Sequence, residues 1–404
     1  VLGSRPSNKV WNPSIRAETP DLIRRFFSFF SHVLPALGFA FPAGCATPPS
    51  TTPYSQSAEP KYVTVGWNEL PTISNADWLA GFNAWKNGCG VLAKQTRWSA
   101  VCTDAKALPQ DAAKVRAFMQ SRLTPISLRN PDGGDQGLIT GYYEPVYPGS
   151  LTRTAKANVP AYGVPADLIT VQLDSLYPEL KGKRIRGKLE GKKLVPYPAA
   201  NDIAESGLSA PVLAWLEDPM DLQFLQVQGS GRVKLDDGRE IRLGYADQNG
   251  HPYSAIGKWL IAQGELKAED VSMQSIRAWA VAHPQRTPEL LASNPSYVFF
   301  RPLPASNDGP PGSLGVPLTP GYSLAVDVKH VPPGSPLLIA TTTPDGAALT
   351  RVAAAQDTGD AITGQVRADF FFGKGDAAGA LAGKMKQRGK LWLLWPKGEA
   401  LPAL

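Results

Sequence analysis

The chain is 404 residues long, 43% hydrophobic and 19% charged, with 38 glycines and 38 prolines. It can carry two domains with cores of their own, built from short strands and turns and not from long helical bundles. The formal charge is +6, but the first 44 residues hold five positive and two negative side chains, so the remainder carries +3 with no dense basic run. That argues against a phosphate-driven nucleic-acid binder, whereas a carboxylate-bearing polymer would tolerate the charge.

In chain order, Arg24-Arg25 precedes an apolar run from Phe26 to Gly44 that ends in small residues before Cys45. A positive flank, an apolar stretch and a small-residue cut describe a secretion signal, so segment 1–44 is set apart from the fold, and what lies upstream of Asp21 reads as surplus sequence. A cysteine after Ala43-Gly44 resembles a bacterial lipoprotein signal with Cys45 as the lipid anchor, although Pro42 stands where leucine is usual. An ordinary signal and a membrane anchor are the alternatives, and Pro35 and the shortness of the run argue against a spanning helix. Ala46 resembles the outer-membrane-sorted pattern, so the expected location is the periplasmic face of the bacterial outer membrane. Residues 45–60 are rich in Ser, Thr and Pro and read as a disordered tether. With Cys45 lipidated, Cys89 and Cys102 remain, and an even number in an oxidising compartment predicts a disulfide between them, two free buried thiols being the alternative.

Order is expected to resume at Val63–Trp67. Trp78, Leu79, Phe82 and Trp85 fall at helical spacing behind Ser74-Asn75, which can cap, and Val115, Phe118, Met119 and Leu123 suggest a second helix. Leu138 to Tyr147 reads as β structure broken by turn residues. Further on, strands are predicted at Leu222–Val227, Arg232–Leu235 and Glu240–Gly244, the last two joined by an Asp236-Asp237-Gly238 hairpin turn. Helices are predicted at Ser254–Ala262, at Met273–Val281 behind Ser272, and after Thr287-Pro288. From Tyr297 the text returns to strands: Tyr297–Arg301, Tyr322–Asp327, Leu337–Thr341, part of Ala361–Gly364, Val366–Phe372 and Lys390–Leu394. Many short strands between Pro and Gly favour a barrel or sandwich.

Metal chemistry finds no support: the four histidines (His32, His251, His283, His330) include no ligand-spaced pair. There is no Gly-x-Ser-x-Gly elbow and no phosphate loop, and no cofactor is implied. Carboxylate chemistry remains. If Val366–Phe372 is a strand, alternation puts Arg367, Asp369 and Phe371 on one face and Val366, Ala368, Phe370 and Phe372 on the core face. A carboxyl held beside aromatics is partly desolvated, which raises its pKa and keeps a proton for glycosidic cleavage. Arg367 works in the opposite sense, and an ion pair between Arg367 and Asp369 is the structural alternative.

Several blocks carry a resemblance: Gly141-Tyr142-Tyr143-Glu144-Pro145; Val227-Gln228-Gly229-Ser230-Gly231; Tyr245 to His251 with Ser254 to Lys258; Asn294 to Phe300; and Asp357 to Gly373. In these, in this order, the chain resembles the family of membrane-bound lytic murein transglycosylases A over nearly its whole mature length. Its C-terminal part is similar to the "3D" domain, whose three aspartates fall on Asp327, Asp357 and Asp369, separated by 30 and 12 residues. The resemblance implies a mainly β, α+β protein: a double-psi β-barrel with an inserted second α+β domain and a glycan groove between them. The implied layout is 61–145 and 294–404 for the barrel and 146–293 for the insert. It makes Asp369 the catalytic acid for the bond between N-acetylmuramic acid and N-acetylglucosamine, and then the base that closes a 1,6-anhydro ring.

Because the attacking oxygen belongs to the substrate, one carboxylate can suffice. Asp357 and Asp327 are expected to support Asp369 electrostatically or else to hold turns. Tyr142, Tyr143, Gln228, Gly229 and Ser230 are expected to line the groove, with at most one of the adjacent tyrosines reaching sugar from a strand. His251 and Asp247 read as structural, and Asp360 is given no role. The expected partners are peptidoglycan glycan strands and, through the lipid, the outer membrane; a wall-remodelling complex is left open. Two further readings are weighed. An inverting hydrolase on the same barrel would need a second carboxylate from Asp327, Asp357 or Glu144. A non-catalytic peptidoglycan-binding lipoprotein would survive the loss of Asp369.

Overall fold

The computed structural model describes residues 62–402 apart from 181, 182, 184 and 360. Cys45, the 1–44 signal, the 45–60 tether and Asp360 lie outside the described residues. Among the described residues no helix is long and apolar enough to cross a membrane.

Among the described residues the architecture is mixed α+β with three sheets. In the largest, the strands Lys386–Pro396, Pro336–Thr342, Ala348–Asp357, Ser323–Val326, Ala368–Lys374 and Gly137–Glu144 follow one another in space. The last pairs back onto the first, through Gly137–Thr140 against Lys386–Gly389, so these six close into a ring. Closure removes free edges, and the alternating residues Ile139, Leu324, Val326, Ala368 and Phe370 fill the main core. Two strands, Leu123–Leu128 and Tyr62–Thr64, extend the sheet outside the ring.

The helices Asn75–Asn87, Cys89–Leu92, Thr96–Lys106 and Ala112–Arg122 share this core. The first is capped by Ser74, whose side chain accepts from the Asp77 N–H, and it buries Trp78, Phe82 and Trp85. Cys89 and Cys102 are joined by a disulfide inside this helical layer.

Between the ring's first and second strands in sequence lies a separate six-stranded sheet: Val298–Leu303, Glu240–Gln248, Ser230–Lys234, Val146–Ser150, Val212–Leu216 and Val159–Tyr162. It has its own core around Phe224, Leu243, Trp279 and Phe300, covered by the helices Pro219–Gln228, Met273–Ala282 and Thr287–Ala292. A small sheet of Ile169–Val171, Ile185–Glu190 and Lys193–Pro196 flanks it.

Three sequence expectations are corrected. Leu222–Val227 is helical, within Pro219–Gln228, because Asp218 caps the N-terminus, Pro219 opens the first turn, and Gly229 ends it at φ 75°. Part of Ala361–Gly364 does not form a strand but a turn. The strand Val298–Leu303, which the sequence boundary at residue 294 gave to the barrel, pairs with Glu240–Gln248 because Phe299 and Phe300 bury away from the ring.

Candidate active site

Strand alternation gives the ring a second face. While Ala368 and Phe370 point into the core, Asp369 and Phe371 point outward, as do Thr140, Tyr142 and Ala325 on the neighbouring strands. Register sets Thr140 opposite Asp369, Asp369 opposite Ala325, and Ala325 opposite Asp357, so a row of four residues runs across the sheet. At ordinary strand spacing the Cα atoms of Asp357 and Asp369 are about 10 Å apart. Together with Ala325 of the row, Tyr142, Leu318, Ile362 and Phe371 make a small apolar cluster on this face.

The carboxyl of Asp369 accepts one hydrogen bond, from the Thr140 hydroxyl at 2.6 Å, and no other hydrogen bond reaches it among the described residues. Burial pushes its pKa up; the Thr140 hydrogen bond and the Arg367 charge pull it down, and the charge of Asp357 adds to the rise, leaving it above the ordinary carboxyl range. A rim of the residue stays accessible. Arg367 forms no ion pair with it: that guanidinium donates to the carbonyls of Leu138 and Ala368. The result is a carboxyl of raised pKa with an open side.

Asp357 sits differently. One oxygen accepts the N–H groups of Ser313 and Thr358, both at 2.9 Å, and the other accepts the Tyr142 hydroxyl at 3.2 Å. Its pKa is raised by burial, against the pull of those donors. Asp327 accepts from the N–H of Lys329 at 3.0 Å and of Gly364 at 2.8 Å, with His330 Nε2 3.8 Å away. That ties the turn after Ser323–Val326 to the loop that enters the Asp369 strand.

The remaining sequence candidates are spread over the neighbouring elements. Tyr142 is buried and committed to Asp357. Tyr143 is buried beneath the helix Gly375–Ala382, its hydroxyl 3.3 Å from that of Tyr147. Gln228 accepts the Tyr143 N–H at 3.0 Å, Gly229 ends a helix, and Ser230 opens the strand opposite Gly244. Asp247 pairs with Arg186, and His251 Nε2 meets the Tyr197 carbonyl at 2.7 Å. Thr140 and Ser313 escaped the sequence reading, since a lone hydroxyl before a glycine and a backbone donor in a loop carry no local signature.

This geometry coincides with two family descriptions: the "MltA specific insert domain" matches residues 138–301, and the "3D domain" matches residues 322–395. The chain is 39% identical to MltA from Neisseria gonorrhoeae in a crystal structure with a TM-score of 0.74, over 84% of this chain and 93% of that one. The crystal structure of E. coli MltA with bound chitohexaose matches with a TM-score of 0.65 and 27% identity, over 87% of this chain and 99% of that one. "Membrane-bound lytic murein transglycosylase A" of Escherichia coli K12 is 36% identical over 265 residues, which span 63% of this chain and 65% of that protein. The fold and the paired domains define a protein of the MltA class, an insert-bearing 3D-domain architecture. The chain belongs to the MltA family of lytic murein transglycosylases.

Proposed function

We propose that this chain cleaves the β-1,4 bond between N-acetylmuramic acid and N-acetylglucosamine in peptidoglycan, with Asp369 as acid and then as base. The protonated carboxyl gives its proton to the glycosidic oxygen as the bond from that oxygen to C1 breaks. The ionised carboxylate then takes the proton of the muramoyl 6-hydroxyl while that oxygen bonds to C1, giving the 1,6-anhydro product without water. The tethered hydroxyl supplies a high effective concentration, so no second residue need hold a nucleophile.

The observation that carries this reading is the contrast between Asp369 and the three carboxylates weighed above for a hydrolase, Asp327, Asp357 and Glu144. Asp369 holds one donor and an accessible rim. Asp357 and Asp327 are each engaged by two backbone N–H groups. Glu144 is buried against Arg232 and Arg242. A hydrolase needs a free second carboxylate across from the acid, and this favours the transglycosylase. Asp357, held rigid, adds negative charge near the developing oxocarbenium ion.

In this reading the six-strand ring is a double-psi β-barrel, residues 62–145 and 304–402 form one lobe, 146–303 the other, and the glycan lies between them across the Asp369 face. The hexasaccharide bound by the Escherichia coli relative supports a glycan-length groove. Relatives named as membrane-bound support a membrane association, for which Cys45 would be the lipid anchor and the outer membrane the site. Peptidoglycan digested with wild-type protein should yield anhydro-muropeptides by mass spectrometry, and Asp369→Asn should lower their release by roughly 10²- to 10⁴-fold, as expected for losing a general acid. Free reducing ends from the wild type would favour the hydrolase, and unchanged release by the variant would favour a different acid.

A further inference from the structure

The reading of two lobes leaves open what fixes the angle between them. The chain crosses from one lobe to the other at 144–146 and returns over 304–317. Both crossings meet at two arginines of the second sheet. Arg232 and Arg242, opposite one another in the Ser230–Lys234 and Glu240–Gln248 hairpin, are 4% and 5% exposed.

At the first crossing, Arg232 Nε donates to Glu144 Oε2 at 3.0 Å, and Arg242 Nε stands 3.6 Å from Glu144 Oε1. The Arg232 N–H also donates to the Pro145 carbonyl at 2.8 Å. At the return crossing, the same guanidiniums are wrapped in main-chain carbonyls. Arg232 donates to Ser306 and Asp308, both at 3.1 Å, and Arg242 donates to Pro304 at 3.3 Å, Asp308 at 3.1 Å and Gly309 at 2.9 Å. The Asp308 carbonyl thus accepts from both arginines.

Such a cluster is a costly way to build a core, since each buried charge loses its hydration and an apolar replacement would do as well for stability alone. What it supplies is direction: planar forks fix the path of two backbone segments relative to each other. The return segment then runs to Ser313, whose N–H holds Asp357, two strands from the acid.

We propose that Glu144, Arg232 and Arg242 form a hinge clamp: positioning residues that touch no substrate but hold the two crossings together and so set the width of the glycan groove at Asp369. Glu144, at the end of the strand that bears Thr140 and Tyr142, is the pin. The proposal rests on the two-lobe reading, and its first test needs no chemistry.

Spin labels on unnatural amino acids at the exposed positions 281 and 348, one on each lobe, report the lobe-to-lobe distance in the full chain without substrate. Glu144→Gln should broaden that distance distribution and raise KM for glycan strands about tenfold, the scale of couplings carried through such networks. The kcat and its pH profile, which belong to Asp369, should stay as in the wild type. Arg242→Lys keeps the charge and most of the stem but loses the fork to Pro304, Asp308 and Gly309, so it should broaden the distances too and carries the test should Glu144→Gln not fold. Wild-type distances in the folded variants would overturn the clamp. So would a shifted pH profile with unmoved distances, which would assign Glu144 to the electrostatics of Asp369. Because the distances are read without turnover, a failure of the proposed chemistry is distinguishable from a failure of the clamp.

Discussion

At the scale of single residues, the proposed chemistry turns on how Asp369 is held. Its pKa is raised chiefly by burial, while the Thr140 hydroxyl stabilises the ionised form. The protonated donor is lost as pH rises through that pKa, so the alkaline limb of activity reports it. Thr140→Val keeps the shape and removes the donor; the carboxyl should then hold its proton to higher pH and the alkaline limb should move up. At neutral pH the loss of positioning should cost roughly tenfold or more in kcat, the worth of a hydrogen bond to a charged group. Tyr142→Phe should act in the opposite sense. Without the Tyr142 hydroxyl, Asp357 holds its proton to higher pH, its charge raises Asp369 less, and the limb should move down. Kinetic pH profiles of the two variants check the pair; movement in the same direction would contradict the arrangement. The outward placement of Asp369 was legible in the sequence through its strand period. Thr140 was not, because a register between residues 229 apart leaves no local mark.

At the scale of elements, the strand bearing Asp369 leads directly into the helix Gly375–Ala382, which folds back onto the strand bearing Thr140. The approach is close because Gly141 has no side chain: a Cβ there would lie 2.6 Å from the Phe372 ring and 2.9 Å from the Ala382 Cα. Gly141→Ala should therefore push the helix off its seat, at a cost of about 1–3 kcal/mol in stability from overpacking. Activity should fall with it, since both neighbours of the acid move. Chemical denaturation alongside turnover measures this, and an unchanged midpoint would contradict it. Elements announced by caps and period were readable, such as the helix behind Ser74 and the one behind Ser272. The strand Ala348–Asp357 was missed because Val352-Ala353-Ala354-Ala355 is buried on both faces and shows no alternation. The side-chain carbonyl of Gln228, a residue expected to line the groove, meets the Tyr143 N–H, a partner fixed only once two distant segments have folded together.

At the scale of the whole molecule, the ring closes between segments separated by the entire second sheet, so it forms only when long-range pairs do. The helical layer beneath it is made early in the chain, and its Trp85 and Trp98 sit in the same core as Trp395 from the last strand. The Cys89–Cys102 bond ties that layer together across a sequence separation of 13. By restricting the unfolded chain, a loop of this size contributes roughly 3 kcal/mol. Because the layer shares its core with the ring, that contribution belongs to the stability of ring and helices as a unit and not to the helices alone. Both sulfurs are buried, Cys89 at 1% and Cys102 at 0% exposure, so a reductant must wait for the structure to open. Removing the bond with Cys89→Ala and Cys102→Ala together should lower Tm by about 3–6 °C, given the unfolding entropy of a chain this long. The anhydro product and the pH profile should be unchanged, since both sulfurs lie in the helical layer and Asp369 is on the outward face of the ring. Calorimetry of the double variant beside product analysis checks both halves. A Tm equal to the wild type would mean that the helical layer is not part of the cooperative unit that carries the site.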